Sequence, residues 1–142
     1  MSLGVAALLI ATSLMVSGER LTPEWPLAAL ALLSAIAEHR RVRLSANLEL
    51  SISLLPTLFA AVVFGPLAAM LVGGASMAAD FRGNRMKWAT YSLSESITGA
   101  LTGLVAGLAA ALSSTPLGSI AAATLAGALT SQVLDTAFTV LR

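Results

Sequence analysis

Charged residues stand in three clusters along the chain, and this spacing constrains the fold more than any other feature. The clusters are Glu19, Arg20 and Glu24; Glu38 to Glu49; and Asp80 to Lys87. Between them lie apolar stretches at 1–17, 26–37, 50–79 and 88–141, and only Glu95 and Asp135 interrupt the last of these. A helix that crosses a bilayer needs about 20 apolar residues, with about 17 tolerated. The 142 residues are 57% hydrophobic and 11% charged, with mean hydropathy +0.88. A soluble domain carries about 25% charged residues, so this chain cannot coat a water-soluble globule of its size. The expected class is all-α: an integral membrane bundle, one domain over 1–142.

Other classes fall away on composition. A net charge of +1 lacks the basic footprint of a nucleic-acid binder. The chain has no cysteine and one histidine, His39, which removes disulfide frameworks, thiolate metal sites and most His-dependent catalysis. No glycine-rich phosphate loop, nucleophile elbow or metal-spaced carboxylate cluster occurs. Neither a catalytic residue nor a metal or cofactor is expected.

The stretch 88–141 must hold two helices. Their turn is Ser113-Ser114-Thr115-Pro116, where Thr115 can cap a helix and Pro116 suits its first turn. The stretch 50–79, read as one helix, would be about 45 Å long, too long for a hydrocarbon core of about 30 Å. Gly65-Pro66 at its centre is a turn signal. Loop charge decides between one helix and two. With six helices, Arg40, Arg41 and Arg43 of the second loop share a side with Arg82, Arg85 and Lys87 of the fourth and with Arg142, leaving Arg20 opposite. The positive-inside rule prefers that arrangement, and a re-entrant hairpin at 50–79 satisfies it equally. These basic residues are read as topology determinants at the lipid headgroups. The expected helices are 2–17, 23–38, 48–64, 66–80, 87–112 and 116–141, in the inner membrane with both termini cytoplasmic. The stretch 1–17 lacks the basic start and A-x-A-like end of a cleaved signal, so it is read as the first helix. Trp25 and Trp88 fall where interfacial indoles anchor.

Residues able to carry chemistry gather in the last two helices. Gly99, Gly103 and Gly107 recur every four residues, a ridge that lets helix backbones approach closely in a membrane. The same row leads back to Glu95 and Tyr91, with Thr98 and Thr102 alongside. The sixth helix carries a matching row of Ala123, Gly127, Ser131, Asp135 and Thr139, with Gln132 adjacent. In antiparallel helices both acids fall about 10 Å inside the same membrane edge, and Glu49, at the expected start of the third helix, lies shallower. Acids inside a membrane are costly, and two close together share a proton or a cation. A polar pocket of Glu95, Asp135, Tyr91, Ser131, Gln132 and Thr98 could take a proton, a cation or a ligand with donor groups. The alternative is interhelical glue, in which the acids bond to neighbouring Ser and Gln side chains or to Arg85 and Lys87. Gly73 and Gly74 are read as tight packing, as are Gly4, Ala7 and Ala11 on the first helix.

The central stretch resembles a known family. The run Leu54-Leu55-Pro56, then Ala60-Ala61-Val62-Val63-Phe64-Gly65-Pro66-Leu67-Ala68-Ala69-Met70-Leu71-Val72-Gly73-Gly74, then Ala79-Asp80, Lys87-Trp88, Tyr91-Ser92 and Glu95 carries the likeness. It is similar to the multi-helix, vitamin-uptake-like membrane sensor at the amino end of HD-GYP phosphohydrolases and some diguanylate cyclases. That family in turn resembles the substrate-binding (S) components of energy-coupling-factor vitamin transporters. The likeness covers about 50–100, and Ser92 and Glu95 stand where family members often carry Asn and Gln. It implies six helices, small-molecule sensing and a cytosolic output domain after the last helix. A transport subunit with separate energising partners and a structural subunit of a larger complex remain alternatives. Lipid, a small ligand or cation, and a second copy of the chain are the partners these readings allow.

Overall fold

The computed structural model describes residues 2–16, 18, 24–39, 42–45, 48–50, 54–78 and 85–141. The architecture is all-α. Six helices, α1 (Ser2–Val16), α2 (Glu24–His39), α3 (Leu54–Val63), α4 (Pro66–Ala78), α5 (Arg85–Ala111) and α6 (Pro116–Leu141), form a bundle. One short hairpin, β1 (Val42–Ser45) with β2 (Leu48–Leu50), sits in the connection between α2 and α3.

That hairpin corrects the expected third helix, which was to begin at 48 and instead begins at Leu54. The reason lies in the sequence Val42-Arg43-Leu44-Ser45 and Leu48-Glu49-Leu50, where apolar and polar residues alternate with the period of a strand. The strands pair antiparallel, with Val42 opposite Leu50 and Arg43 opposite Glu49. Glu49 therefore belongs to a strand and not to a helix start, and His39, one residue past the expected end of the second helix, ends α2.

The stretch 50–79 does break into two helices at its Gly-Pro corner. Gly65 adopts φ +88°, a left-handed conformation that side chains other than glycine's resist. Pro66 then opens α4, where its missing N–H is no loss. Phe59 and Phe64 meet edge to face just before the corner, ring centres 6.3 Å apart. A Cβ on Gly73 would lie 3.7 Å from the Thr57 methyl. Positions eight before and eight after the corner thus touch, so α3 and α4 run antiparallel.

α4 is the hub of the bundle. Leu67, Ala68, Ala69 and Val72 are buried, and among its large apolar residues only Leu71 is exposed. Leu27 of α2 and Ala60 and Ala61 of α3 pack on Ala68, Ala69 and Val72. Leu67 and Met70 pack with Ala7 and Leu14 of α1 and Ile97 and Ala100 of α5. The small-residue face of α1 is thereby consumed inside the bundle, with Gly4 against Leu93.

Glycine lets α4 and α5 approach backbone to backbone. A Cβ on Gly99 would collide with the Ala69 carbonyl, and one on Gly103 with Pro66 Cα. One on Gly73 would come within 2.7 Å of the Glu95 carbonyl oxygen. Hydroxyls reinforce the seam, since Ser92 Oγ donates to the Gly74 carbonyl at 3.0 Å. Trp88 Nε1 donates to the Met77 carbonyl at 2.9 Å, closing the last turn of α4. Gly107 departs from the expected ridge: it is exposed, and a Cβ there would meet nothing within 4 Å. The row outruns its partner, because α4 begins at Pro66, which already sits opposite Gly103.

These contacts order the ends. The start of α1, the start of α3, the end of α4, the start of α5 and the end of α6 lie at one end of the bundle. The α5–α6 turn lies at the other. There Thr115 caps α6 as expected, its carbonyl accepting from Ser119 N at 2.8 Å and its hydroxyl from Gly118 N at 3.2 Å. Arg85 and Lys87 are exposed in the first turn of α5. Arg43 lies in β1, whereas Arg40, Arg41, Arg82 and Arg142 fall outside the described residues.

α5 and α6 are long and apolar enough to cross a membrane by length and composition. The other four helices are shorter. At 1.5 Å per residue, the 10 residues of α3 reach about 15 Å and the 13 of α4 about 20 Å.

Candidate functional site

Part of the polar set singled out in the last two helices lies along the α5–α6 seam. α6 turns Ala123, Gly127 and Ser131 inward, all buried. Gly127 sets the register: a Cβ there would lie 2.8 Å from Leu58 Cδ1 of α3, 3.4 Å from Thr102 Cγ2 and 3.6 Å from Ala106 Cβ. Gly127 therefore faces the Thr102–Ala106 turn. One antiparallel step of four residues brings Ser131 to the level of Thr98 and Thr102. The next brings Asp135 to the level of Ser94, Glu95 and Thr98. Counting along the antiparallel helices from Gly127 thus puts Glu95 and Asp135 at one level of the bundle.

The seam gathers four of the six buried polar side chains among the described residues, Ser34 and Ser76 lying elsewhere. Ser94, Thr98, Thr102 and Ser131 are buried on it, none more than 4% exposed. Asp135 is half-buried at its end, and Glu95, half-buried at the same level, continues the glycine row that faces α4; each has an interaction partner. Tyr91, 37% exposed and also partnered, stands at the mouth. Ser94 Oγ donates to the Tyr91 carbonyl at 2.9 Å. Thr98 Oγ1 and Thr102 Oγ1 are buried and find no hydrogen-bond partner among the described residues. A buried hydroxyl left in that state costs about 1–3 kcal/mol.

Two expectations need correcting. Gln132 is exposed and does not join the seam. One residue past Ser131 rotates the side chain by about 100°, and Gln132 instead lines a shallow outer groove of about 590 Å³ with Val133, Thr136, Ala137 and Val140. The glycine ridge of α5 serves α4 and not α6, so the seam with α6 is the neighbouring row of Ser94, Thr98, Thr102 and Ala106. Thr102 is the buried member that the candidate pocket omitted. Its spacing of four from Thr98 is the sequence signal that marks it.

Chemically, the arrangement offers hydroxyl and carboxylate oxygens at one level of a narrow seam. Such a set suits hydrogen-bond donors, water or a small cation. Among the described residues no group of three or more His, Asp or Glu side chains could hold a metal ion. No protein-family model, curated protein or solved structure matches the chain.

Proposed function

We propose that the chain is an inner-membrane sensor module whose six helices all lie in the bilayer, with both termini on the cytoplasmic side. The observation that carries the membrane part is the outer surface. Large apolar side chains are exposed on every helix: Leu8 and Val16 on α1, Leu32 and Leu33 on α2, Phe59 on α3, Leu71 on α4, Leu108 on α5 and Leu117, Leu125 and Leu129 on α6. Only 17% of the apolar window of α6 is buried. In water an apolar surface of this extent drives association; in lipid it is the solvated face. α5 and α6 cross, α1 packs on α5 and α4 while α2 packs on α4 and α3, and the α3–α4 hairpin enters and returns on the side it left. The clustering of Arg85, Lys87 and the helix ends at one end of the bundle supports a common cytoplasmic side.

The sensing part rests on the α5–α6 seam. A small polar ligand or cation bound at Glu95, Asp135, Ser131 and Thr98 would act on the two longest helices at once. α6 is the natural relay to a cytosolic output, since its carboxyl end lies at that same level. The likeness over 50–100 to sensors of HD-GYP and cyclase proteins agrees with this reading. The S-component alternative requires a docking face on the Ala7 and Ala11 side, and those residues pack against α4 and α5.

The test separates binding from folding. Native mass spectra of the full chain released from lipid should show a retained small molecule. Glu95→Gln and Asp135→Asn should lose it while helix content stays unchanged. A chain that carries nothing in several lipid compositions, with both variants folding normally, returns the seam to structural glue.

A further inference from the structure

Thr98 and Thr102 behave unlike the other helical threonines whose bonds are seen. Thr12, Thr90, Thr124, Thr130 and Thr136 each donate to the carbonyl four residues back at 2.8–2.9 Å. Thr98 and Thr102 have the same kind of acceptor one turn behind them, in the Ser94 and Thr98 carbonyls, and leave it unused. They are also 3% and 1% exposed, so open solvent does not serve them instead. Buried hydroxyls are almost always bonded to something. Two neighbours on one helix face that both forgo the local bond point to a shared guest.

We propose that one internal water bridges the Thr98 and Thr102 hydroxyls within the α5–α6 seam. A water making two bonds near 2.8 Å at its tetrahedral angle spans about 4.5 Å, so the Thr98 and Thr102 hydroxyls reach it by leaning toward each other across the helical rise of about 6 Å over four residues. Buried waters take about three hydrogen bonds, and Ser131, 4% exposed at the matching level of α6, supplies the third. The water extends the polar layer inward from Glu95 and Asp135 to the level of Gly127, where Leu58 closes the seam. This assignment stands on the two hydroxyls and does not depend on the sensor reading.

Thr98→Val and Thr102→Val, made in the full chain, test it. Each keeps the side-chain shape and removes a partner of the water, so each should lower the thermal unfolding midpoint by about 2–5 °C. The double variant should lose little more than the larger single loss, because one water is lost once. Unchanged or raised midpoints in both valine variants would overturn the proposal, since removing a truly orphaned hydroxyl is neutral or stabilising. A wild-type midpoint that falls when sodium chloride is replaced by choline chloride, with that dependence abolished by the valines, would also overturn it, in favour of a cation. Should a valine variant fail to fold, the wild type decides. With methyl-labelled threonine, magnetisation transfer from a long-lived water to both the Thr98 and Thr102 methyls is expected, and its absence sinks the bridge.

Discussion

At the scale of single residues, glycine separates the close contacts from the open ones. Gly99 and Gly103 face backbone atoms of α4, which cannot swing aside, so Gly99→Ala or Gly103→Ala should cost about 2–3 kcal/mol. Gly107 faces open space, and Gly107→Ala should be neutral or up to about 1 kcal/mol stabilising, the helix-propensity gain. Thermal unfolding of the three variants in one detergent checks both halves; equal losses at all three would refute the assigned seam. Sequence spacing alone could not draw this line. A row of glycines every four residues states that a face is small, and only the length of the opposing helix states how far the face is used. The same limit applies to the acids: the matched depth of Glu95 and Asp135 was legible from counting inward, whereas the outward turn of Gln132 required the register fixed by Gly127.

At the scale of elements, the α3–α4 hairpin organises the chain. Gly65 holds φ +88°, so Gly65→Ala should cost about 1–2 kcal/mol, and Gly65→Asn, which tolerates that region better, should cost less. Unfolding midpoints that rank the two variants the other way would contradict the corner. The absence of native cysteine makes side assignment direct. A cysteine replacing Arg43 and one replacing Arg85 should react with an impermeant maleimide from the same face, and one replacing Ser114 from the opposite face. Labelling of positions 43 and 85 from opposite faces would break the hairpin topology. Both turns were readable from the sequence, because Gly-Pro and Thr-Pro are local signals that need no tertiary help. The strands at 42–50 were less so. Their period-two alternation lies inside a run of charges, and the charges spoke more loudly for a loop.

At the scale of the whole molecule, the pattern is inverted relative to a soluble domain, with serine and threonine hydroxyls in a seam inside and leucine on the outer surface. The two tryptophans offer a gauge of that surface. Trp25 is 78% exposed, whereas Trp88 is half-buried with its indole bonded to Met77. In bilayers containing brominated lipid, Trp25 should account for most of the fluorescence quenching, and Trp25→Phe should remove it while Trp88→Phe leaves it. Equal quenching of the two would mean that the outer face of α2 does not meet lipid. Composition carries the membrane proposal from the start, because 11% charged residues leave little polar cover. It could not reveal how the two short helices would differ, α3 keeping Leu55, Phe59 and Val63 exposed and α4 only Leu71 among its large apolar residues.

The central position of α4 bears on how the chain is made. This 13-residue helix contributes one large apolar side chain, Leu71, to the periphery, and its Gly73, Gly74 and Ser76 are acceptable only because other helices surround them. While the ribosome is still translating α5, α4 lacks the neighbour that its glycines are shaped to meet. On the membrane placement proposed above, α4 enters the bilayer only once α5 emerges, and a nascent chain tethered at successive lengths should register the pulling force of the pair together rather than of α4 alone.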